Sequence, residues 1–301
     1  MPRNPFDART IVGRAKAALV GGAVGDALGA TTEFMKPDRI RETLGVHREI
    51  TGGGWLKLLP GQVTDDTDMT LCVARAIAER GGWDLAAIAD RFARWLSGNP
   101  RDVGATCRRG ILKYIETGRT EAPPNERDAG NGAAMRVAPV ALYTLGDEEL
   151  LARLAVSQAR ITHHHPLSDA ACVTVGKMIQ RAILGTPVPG LRAEADALAA
   201  RHPEFRFEES GGDATGYVPD TLRTVFDAFF TTAGFEECLV KTVNRGDDAD
   251  TTGAIAGAIA GAHYGLSGIP LRWRKALDPP VREELSSLAE RLVRLSPLLA
   301  R

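Results

Sequence analysis

Glycine residues recur every four positions in two apolar stretches near opposite ends of this 301-residue chain. They are Gly21, Gly25 and Gly29 in the first stretch, and Gly253, Gly257, Gly261 and Gly265 in the second. Glycine in a helix costs about 0.5–1 kcal/mol relative to alanine, so seven of them require a compensating contact. Small residues at this spacing let two helix backbones approach closely. The pattern therefore predicts two buried central helices that bring the N-terminal and C-terminal segments together.

A membrane span is the other explanation for such stretches. Residues 253–265 are shorter than the roughly 20 apolar residues that a spanning helix needs. The first stretch is interrupted by the charged residue Asp26. We therefore expect no insertion of this chain into a membrane.

Apolar residues at spacings of three and four predict that helices dominate the rest of the chain. The predicted helices lie near residues 10–30, 68–80, 84–97, 103–117, 132–145, 147–160, 167–184, 190–201, 219–230, 235–243, 251–265 and 281–299. Few stretches alternate like strands, and aromatic residues make up only 6% of the chain. The Pro- and Gly-rich stretches 118–132 and 186–190 are short enough to be loops. We expect one all-α domain over residues 1–301.

Charge and cysteine usage exclude several function classes. A net charge of −1 gives no basic footprint for nucleic acid. The four cysteines are widely spread without a C-x-x-C pair, which indicates reduced thiols rather than a disulfide framework or a zinc site. Residues 1–7 contain no apolar signal segment. We therefore expect a cytoplasmic protein.

Two acidic clusters, each placed just before a predicted helix, carry the strongest chemical signal. Their oxygen-bearing residues are Thr64, Asp65 and Asp66 in the first cluster, and Asp248, Asp250 and Thr251 in the second. Carboxylate and hydroxyl oxygens without His or Cys suit hard divalent cations, Mg²⁺ or Mn²⁺. Four carboxylates would balance two such ions. Without metal, two unit charges 4 Å apart repel by about 4 kcal/mol at an effective dielectric of 20.

Helix capping is the alternative role for these clusters, because Asp and Thr are common N-cap residues. A single cap accounts for one acidic residue in each cluster but not for the others. Asp68 and Asp247 are interpreted differently, as a first-turn partner of the helix dipole and as a loop charge.

Several motifs, in their order along the chain, resemble the ADP-ribosylglycohydrolase family. The first group is GDALG at 25–29, TDDT at 64–67 and DADTTG at 248–253. A second group resembles the nitrogenase-regulating branch of that family: TGGGWLK at 51–57, DVGATCRRG at 102–110, GNGAAMR at 130–136 and ITHHHPLSD at 161–169. The likeness extends from about residue 17 to residue 273. It implies a single compact orthogonal helical bundle with a dinuclear metal site in a central cleft.

The resemblance also assigns roles to residues. Thr64, Asp65, Asp66, Asp248, Asp250 and Thr251 match the metal ligands of the family, with Mn²⁺ or Mg²⁺ as the two cations. Glu33 matches a glutamate over the metals that serves as a ligand or as an acid–base group, whereas a lone glutamate is ordinarily an exposed surface residue. Asp102 matches an aspartate that reaches the substrate and is needed for cleavage, against the alternative of an N-cap. Which of these two moves the decisive proton is left open.

Four further positions are expected to line the ADP-ribose cleft. Asn131 and Gly132 belong to a Gly-Asn-Gly turn, whose backbone N–H groups suit a pyrophosphate. His163 matches a residue that contacts substrate in the family, and Tyr217 matches a tyrosine at the adenosine end of the cleft. Packing on a loop is the alternative role for Tyr217. His164 and His165 are expected in supporting or surface positions, because adjacent side chains point in different directions.

The resemblance implies a hydrolase that removes ADP-ribose from a modified arginine, with the nitrogenase iron protein as its target. It further implies a P-II signalling protein as a partner, which recruits the enzyme to the membrane. Two alternatives remain. One is a hydrolase of another conjugate, such as ADP-ribosyl-serine or O-acetyl-ADP-ribose. The other is a non-enzymatic, crystallin-like protein on the same fold.

Overall fold

A computed structural model of the protein describes residues 7–207 and 213–300. In this part of the chain α-helices form nearly all regular structure, and no β-strand is present beyond two isolated bridges, Gly53 with Leu58 and Gly130 with Tyr217. The helices are α1 (Ala8–Gly29), α2 (Pro37–Leu44), α3 (Asp65–Arg80), α4 (Leu85–Ser97), α5 (Ala105–Thr117), α6 (Ala138–Tyr143), α7 (Glu148–Ala159), α8 (Pro166–Ile183), α9 (Val188–Arg201), α10 (Val218–Thr231), α11 (Phe235–Val243), α12 (Ala249–Gly268), α13 (Leu271–Ala276) and α14 (Pro279–Arg294). The all-α prediction is confirmed. Residues 1–6, which bear on the prediction about a signal segment, lie outside the described ranges.

Most helices begin and end within a few residues of their predicted positions, but four regions differ. The predicted helix over 132–145 is reduced to α6, because residues 132–136 form turns. The helix predicted to reach residue 299 ends at Arg294, since Pro297 lacks the N–H that a continued helix would need. The short helices α2 and α13 were not predicted, because eight and six residues hold too few turns for a clear period.

The two glycine-rich helices pack against each other along their small-residue ridges. Gly21 lies against Gly257 and Gly261, Gly25 against Gly253, and Gly29 against Ala249, so α1 and α12 run antiparallel. A Cβ atom on Gly25 would lie only 1.9 Å from the carbonyl oxygen of Gly253. The predicted central pair is thus confirmed. Gly265 is the exception, because it has φ 71° and marks a kink within α12 rather than a packing contact.

Asp26, the charged residue within the first ridge, fixes the start of α3 on α1. Its buried carboxylate accepts hydrogen bonds from the backbone N–H groups of Thr64 and Thr67, at 3.1 Å each, and from the Thr67 hydroxyl at 2.5 Å. Burial raises the pKa of Asp26 to about 7, although these hydrogen bonds oppose the shift. As a result, the N-terminal ends of α3 and α12 meet beside the C-terminal end of α1.

The close approach of α1 and α12 gives a paired prediction about stability. Gly257→Ala would place a Cβ 2.1 Å from the Gly21 carbonyl oxygen, so we expect it to destabilise the fold by about 3 kcal/mol or more. Gly13→Ala, in α1 where a Cβ meets nothing within 4 Å, should stabilise by about 0.5–1 kcal/mol. Denaturant unfolding of both variants measures the difference. Equal effects would contradict the close packing of the two ridges.

The remaining expectations concern membranes and thiols. Across the described residues, no helix combines the length and the apolar character needed to cross a bilayer. All four cysteines are buried and unpaired, as their spacing predicted.

Candidate active site

The two acidic clusters converge at one place in the fold. Thr251 on α12 donates a hydrogen bond to Asp66 Oδ2 on α3 at 3.2 Å, and Thr64 donates to the same oxygen at 3.2 Å. Because α1 contacts α12 along its ridge and holds α3 through Asp26, residues from opposite ends of the sequence share this site. The convergence that the sequence predicted is therefore present in the structure.

Within the part of the chain that the structure describes, two groups of three carboxylates have the spacing to hold a metal ion. The first consists of Glu33, Asp248 and Asp250, and the second of Asp65, Asp102 and Asp250. Within each group the candidate ligand oxygens lie within 4.8 Å of one another. Asp250 belongs to both groups. A carboxylate shared in this way would be available to help hold either of two ions.

Asp66 supplies a test of whether the site suits a cation. Its Oδ1 atom is buried and has no hydrogen-bond partner within the described residues, while Oδ2 accepts from two hydroxyl groups. A buried carboxylate oxygen without a partner carries a penalty of several kcal/mol unless an ion or water satisfies it. The donor set is all oxygen, which suits a hard divalent cation. The residues therefore fit such an ion.

The electrostatics of the cluster lead to the same conclusion. Burial, followed by repulsion from neighbouring carboxylates such as Asp102, raises the pKa of Asp65 to about 8, and similar causes raise the pKa of Glu33 to about 8. The pKa values of Asp66 and Asp250 are also raised well above their ordinary range, first by burial and then by nearby acids. The cluster therefore opposes its own full ionisation. Nearby divalent cations would reverse this effect by favouring the charged forms.

Capping does not explain the second cluster. Asp248 occupies the N-cap position of α12, but its side chain makes no capping hydrogen bond. Its Oδ2 atom instead accepts from the Asn131 side-chain amide at 2.7 Å. In the first cluster, Thr64 does cap α3, with the Asp66 N–H 3.4 Å from its hydroxyl oxygen. The Thr64 hydroxyl serves as a cap. Asp65 Oδ2 accepts from the Gly104 N–H at 3.2 Å and Asp250 Oδ1 from the Thr251 N–H at 2.9 Å, which leaves the other oxygen of each carboxylate available to a ligand.

Glu33 lies above the cluster in the segment that follows α1, and it is only 6% exposed. Its Oε2 atom accepts a hydrogen bond from the indole N–H of Trp55 at 2.6 Å. The next residue, Phe34, contacts Trp55 with ring centroids 5.4 Å apart, and both rings are largely exposed at the edge of the cleft. The backbone of Phe34 also donates to the Asp247 carbonyl at 2.6 Å, which ties this segment to the second cluster.

Asp102 lies two residues before the N-cap of α5, which is Gly104. It therefore does not cap this helix, and its carboxylate faces the cluster. Burial, followed by repulsion from Asp248, raises its pKa. The carboxylate also belongs to the second three-residue group, so its position is compatible with a ligand as well as with the substrate-contacting role expected from the sequence.

A cleft of about 630 Å³ opens onto the cluster. Its walls include Asn131, Gly132 and His163 together with Glu33 and Asp102, so these predicted residues surround one groove. The volume is in the range of small-molecule sites. Tyr217 does not line this groove. It lies at its edge, 41% exposed, and its backbone pairs with Gly130, so its predicted contact with substrate stays a prediction.

The histidine run separates into three environments. His163 lies in the cleft wall and is almost fully buried. His164 Nδ1 contacts the Ala122 carbonyl oxygen at 2.6 Å, and His165 Nδ1 caps α8 by accepting from the Leu167 N–H at 3.1 Å. The expectation that only the first histidine faces the substrate agrees with this arrangement.

Sequence reasoning assigned no role to two residues that shape the site. Asp26 docks α3, and the signal for it was a charged residue inside an otherwise small and apolar ridge. Trp55 holds Glu33; it lies in the TGGGWLK motif that resembles the family, but no role was predicted for it.

Comparisons with known proteins agree with this geometry. The family model described as ADP-ribosylglycohydrolase matches residues 7–299. ADP-ribosyl-[dinitrogen reductase] glycohydrolase from Rhodospirillum rubrum is 50% identical over 285 residues, covering 95% of this chain and 97% of that protein. ADP-ribosylarginine hydrolase Tri1 from Serratia proteamaculans (strain 568) is 34% identical over 94% of this chain and 80% of its own length.

A solved structure shows the same architecture. It is described as an ADP-ribosylglycohydrolase-related protein complex, and it superimposes with a TM-score of 0.86 at 37% sequence identity. The match covers 95% of this chain and 99% of that one.

Proposed function

This chain belongs to the ADP-ribosylglycohydrolase family, and from that premise we propose that it removes ADP-ribose from a modified arginine side chain of a target protein. The observation that carries the proposal is the convergence of two acidic clusters on Asp250 at the floor of a cleft of ligand size. We propose Thr64, Asp65, Asp66, Asp248, Asp250 and Thr251 as the residues that hold two divalent cations. Their oxygen-only character favours Mn²⁺ or Mg²⁺ over zinc.

The substrate bond joins the anomeric carbon of ribose to a guanidinium nitrogen. Its cleavage passes through a state with oxocarbenium character, as in other glycoside hydrolyses. When bound, two divalent cations would supply positive charge that stabilises developing charge on oxygen and acidifies water. Asp102 and Glu33 face the same space from two sides, so both are candidates for orienting the guanidinium and for moving a proton. Trp55 fixes the Glu33 carboxylate for either role.

Asn131 has a positioning role in this scheme. Its side-chain amide donates to Asp248 Oδ2 at 2.7 Å and to the Thr221 hydroxyl at 2.9 Å. Both amide protons are thereby used, and the Asp248 carboxylate is held in one orientation. Partners of this kind typically contribute 10–100-fold to metal affinity.

The nitrogenase iron protein is the target that we propose, because the Rhodospirillum rubrum relative is named for dinitrogen reductase. A P-II signalling partner remains a prediction of the resemblance, and a cytoplasmic location remains a prediction from the cysteine spacing and the N-terminal residues.

Incubation with defined conjugates and added Mn²⁺ tests the proposal. We expect release of ADP-ribose from ADP-ribosyl-arginine to be at least about tenfold faster than from ADP-ribosyl-serine or O-acetyl-ADP-ribose, and to stop after chelation. Chromatographic measurement of free ADP-ribose gives both rates. Faster cleavage of the serine conjugate would favour the alternative substrate class. No cleavage of any conjugate by metal-loaded protein would favour the non-enzymatic alternative.

A further inference from the structure

Arg136, at the end of the Gly-Asn-Gly turn segment, is a fully buried cation without an acidic partner in the described part of the chain. Its guanidinium donates to the Gln158 side-chain oxygen at 3.0 Å, to the Gln158 carbonyl at 3.2 Å and to the Thr162 hydroxyl at 2.8 Å. Its carbon centre also lies 4.6 Å from the centroid of the Phe92 ring. A buried charge held only by neutral groups is costly, so its presence calls for a specific reason.

Thr162 connects Arg136 to the cleft. Its hydroxyl oxygen lies 2.7 Å from His163 Nδ1. Guanidinium nitrogens can only donate, so this oxygen accepts from Arg136 and keeps its own proton free to donate. Within the described residues the only acceptor available to that proton is His163 Nδ1. If Nδ1 itself carried a proton, the Thr162 hydroxyl would lose its acceptor in a buried environment.

The opposite ring nitrogen of His163 lies next to two glycines that line the cleft. Nε2 makes no hydrogen bond within the described residues, and it lies beside Gly130 and Gly132, where an added Cβ would be 3.1 and 3.3 Å from it. Burial, followed by the positive charges of Arg136 and Arg109, lowers the pKa of His163 well below its usual value. The ring is therefore neutral and carries one proton.

We infer that Arg136, acting through the Thr162 hydroxyl, holds His163 as the tautomer with its proton on Nε2, so that His163 donates a hydrogen bond to an oxygen of ADP-ribose in the cleft. The identity of the ligand rests on the proposed function. In this arrangement His163 is a fixed donor and not a base. Arg136 and Thr162 are positioning residues, since neither reaches the ligand.

A purely structural role for Arg136 makes a different prediction. Arg136 could serve only to join residue 158 of α7 to the turn that follows this helix, in which case its loss would affect stability but not the proton position on His163. The affinity for ADP-ribose in a variant without the Thr162 hydroxyl therefore distinguishes the two roles, because a purely structural role predicts no change in it.

Nitrogen-15 NMR of the histidine rings of the metal-loaded protein reads the tautomer directly. The His163 signals are assigned by their absence in His163→Gln. We expect the unmodified protein to show a protonated Nε2 and an unprotonated Nδ1. A protonated Nδ1 would overturn the inference, and this measurement requires no change at Arg136 or Thr162.

Calorimetric titration with ADP-ribose gives the second readout. Thr162→Val removes the hydroxyl at similar volume, and we expect the Kd for ADP-ribose to rise about tenfold, as the loss of one oriented hydrogen bond implies. Thr162→Ser keeps the hydroxyl and should stay within about twofold of the unmodified protein. The kcat for the arginine conjugate should change less than about threefold in Thr162→Val, because the lost contact is made equally in the ground and transition states.

Unchanged ADP-ribose affinity in a folded Thr162→Val variant would also overturn the inference. Failure of the unmodified protein to bind ADP-ribose would instead contradict the proposed function. In that case a protonated Nδ1 in the unmodified protein would still overturn the assignment of the tautomer.

Discussion

Asp250→Asn is expected to lower metal affinity and ADP-ribose release together. Asp250 belongs to both three-carboxylate groups, so the substitution removes one charge from each. We expect Mn²⁺ affinity to fall by more than the 10–100-fold that supporting partners contribute. Turnover at fixed Mn²⁺ should fall at least about 10²-fold. Metal titration followed by calorimetry, with turnover measured over the same Mn²⁺ range, checks both changes.

The same substitution is expected to stabilise the metal-free protein, in contrast to its expected loss of activity. Asp250 is repelled by its neighbours, so its neutralisation should stabilise the apo fold by about 1–4 kcal/mol, or raise Tm by roughly 2–8 °C.

The stability of the metal-free protein should also depend on pH, because the pKa values of Asp65 and Glu33 are both raised to about 8. Both pKa values are higher in the folded protein than in the unfolded chain, so proton binding by these two carboxyl groups stabilises the fold. This stabilisation is fully present below the unfolded pKa values and is lost as the pH rises through about 8. Apo protein should therefore melt at a lower temperature at pH 8.5 than at pH 6.

Asp68→Asn is the matched control for Asp250→Asn. Asp68 lies in the same acidic first turn as Asp65, but it belongs to neither carboxylate group and accepts from the Trp95 indole N–H at 3.1 Å. Asparagine retains an acceptor oxygen for that bond. We expect Mn²⁺ affinity to change less than about threefold in this variant. Equal losses in the two variants, or unchanged metal affinity in Asp250→Asn, would contradict the proposal that Asp250 would hold metal through both groups.

Asp102→Ala has the second large expected effect. If Asp102 orients the substrate, turnover should fall at least about 10²-fold while metal remains bound. Because Asp102 also belongs to the second carboxylate group, the Mn²⁺ affinity of this variant shows whether Asp102 is a metal ligand. We expect Mn²⁺ affinity to change by less than about tenfold, below the loss expected for Asp250→Asn. Parallel loss of affinity and turnover would identify Asp102 as a ligand instead.

Asp84→Ala is the control for a capping role. Asp84 caps α4 by accepting from the Ala87 N–H at 3.0 Å, and it lies outside the cleft. Its loss should cost about 1 kcal/mol of stability and leave turnover unchanged. Near-normal turnover in Asp102→Ala would show that Asp102, like Asp84, has a structural role only.

The helices and the chemical character of the site could be predicted from sequence because both depend on residue types within short contiguous segments. Apolar spacing specified α3, α4 and α8 within a few residues, and the glycine spacing identified α1 and α12 as a closely packed pair. Oxygen ligands without histidine or cysteine indicated a hard cation. The extent of the domain, residues 1–301, and the ligand roles themselves stay predictions.

The prediction from apolar spacing was wrong in the segment that forms one wall of the cleft. Residues 132–136 were predicted to be helical from their apolar content, yet they form turns beside His163. The preceding residue, Asn131, lies against Asp248. In this segment contacts between distant parts of the chain outweigh helix propensity, which is worth only a few tenths of a kcal/mol for most residues.

By itself, the sequence determined the helical class, the central glycine pair and the oxygen chemistry of the clusters, since each depends on residue type and spacing within about one helix. Only the tertiary structure decided which carboxylates group around Asp250, that Asp26 docks α3, and that Trp55 holds Glu33. It also decided which nitrogen of His163 faces the cleft. These are contacts between segments far apart in the chain, made over about 3 Å, a distance at which hydrogen bonds weaken sharply with small displacements. Which residues make these contacts depends on how all the helices pack together, and this packing cannot be read from any single segment of the sequence.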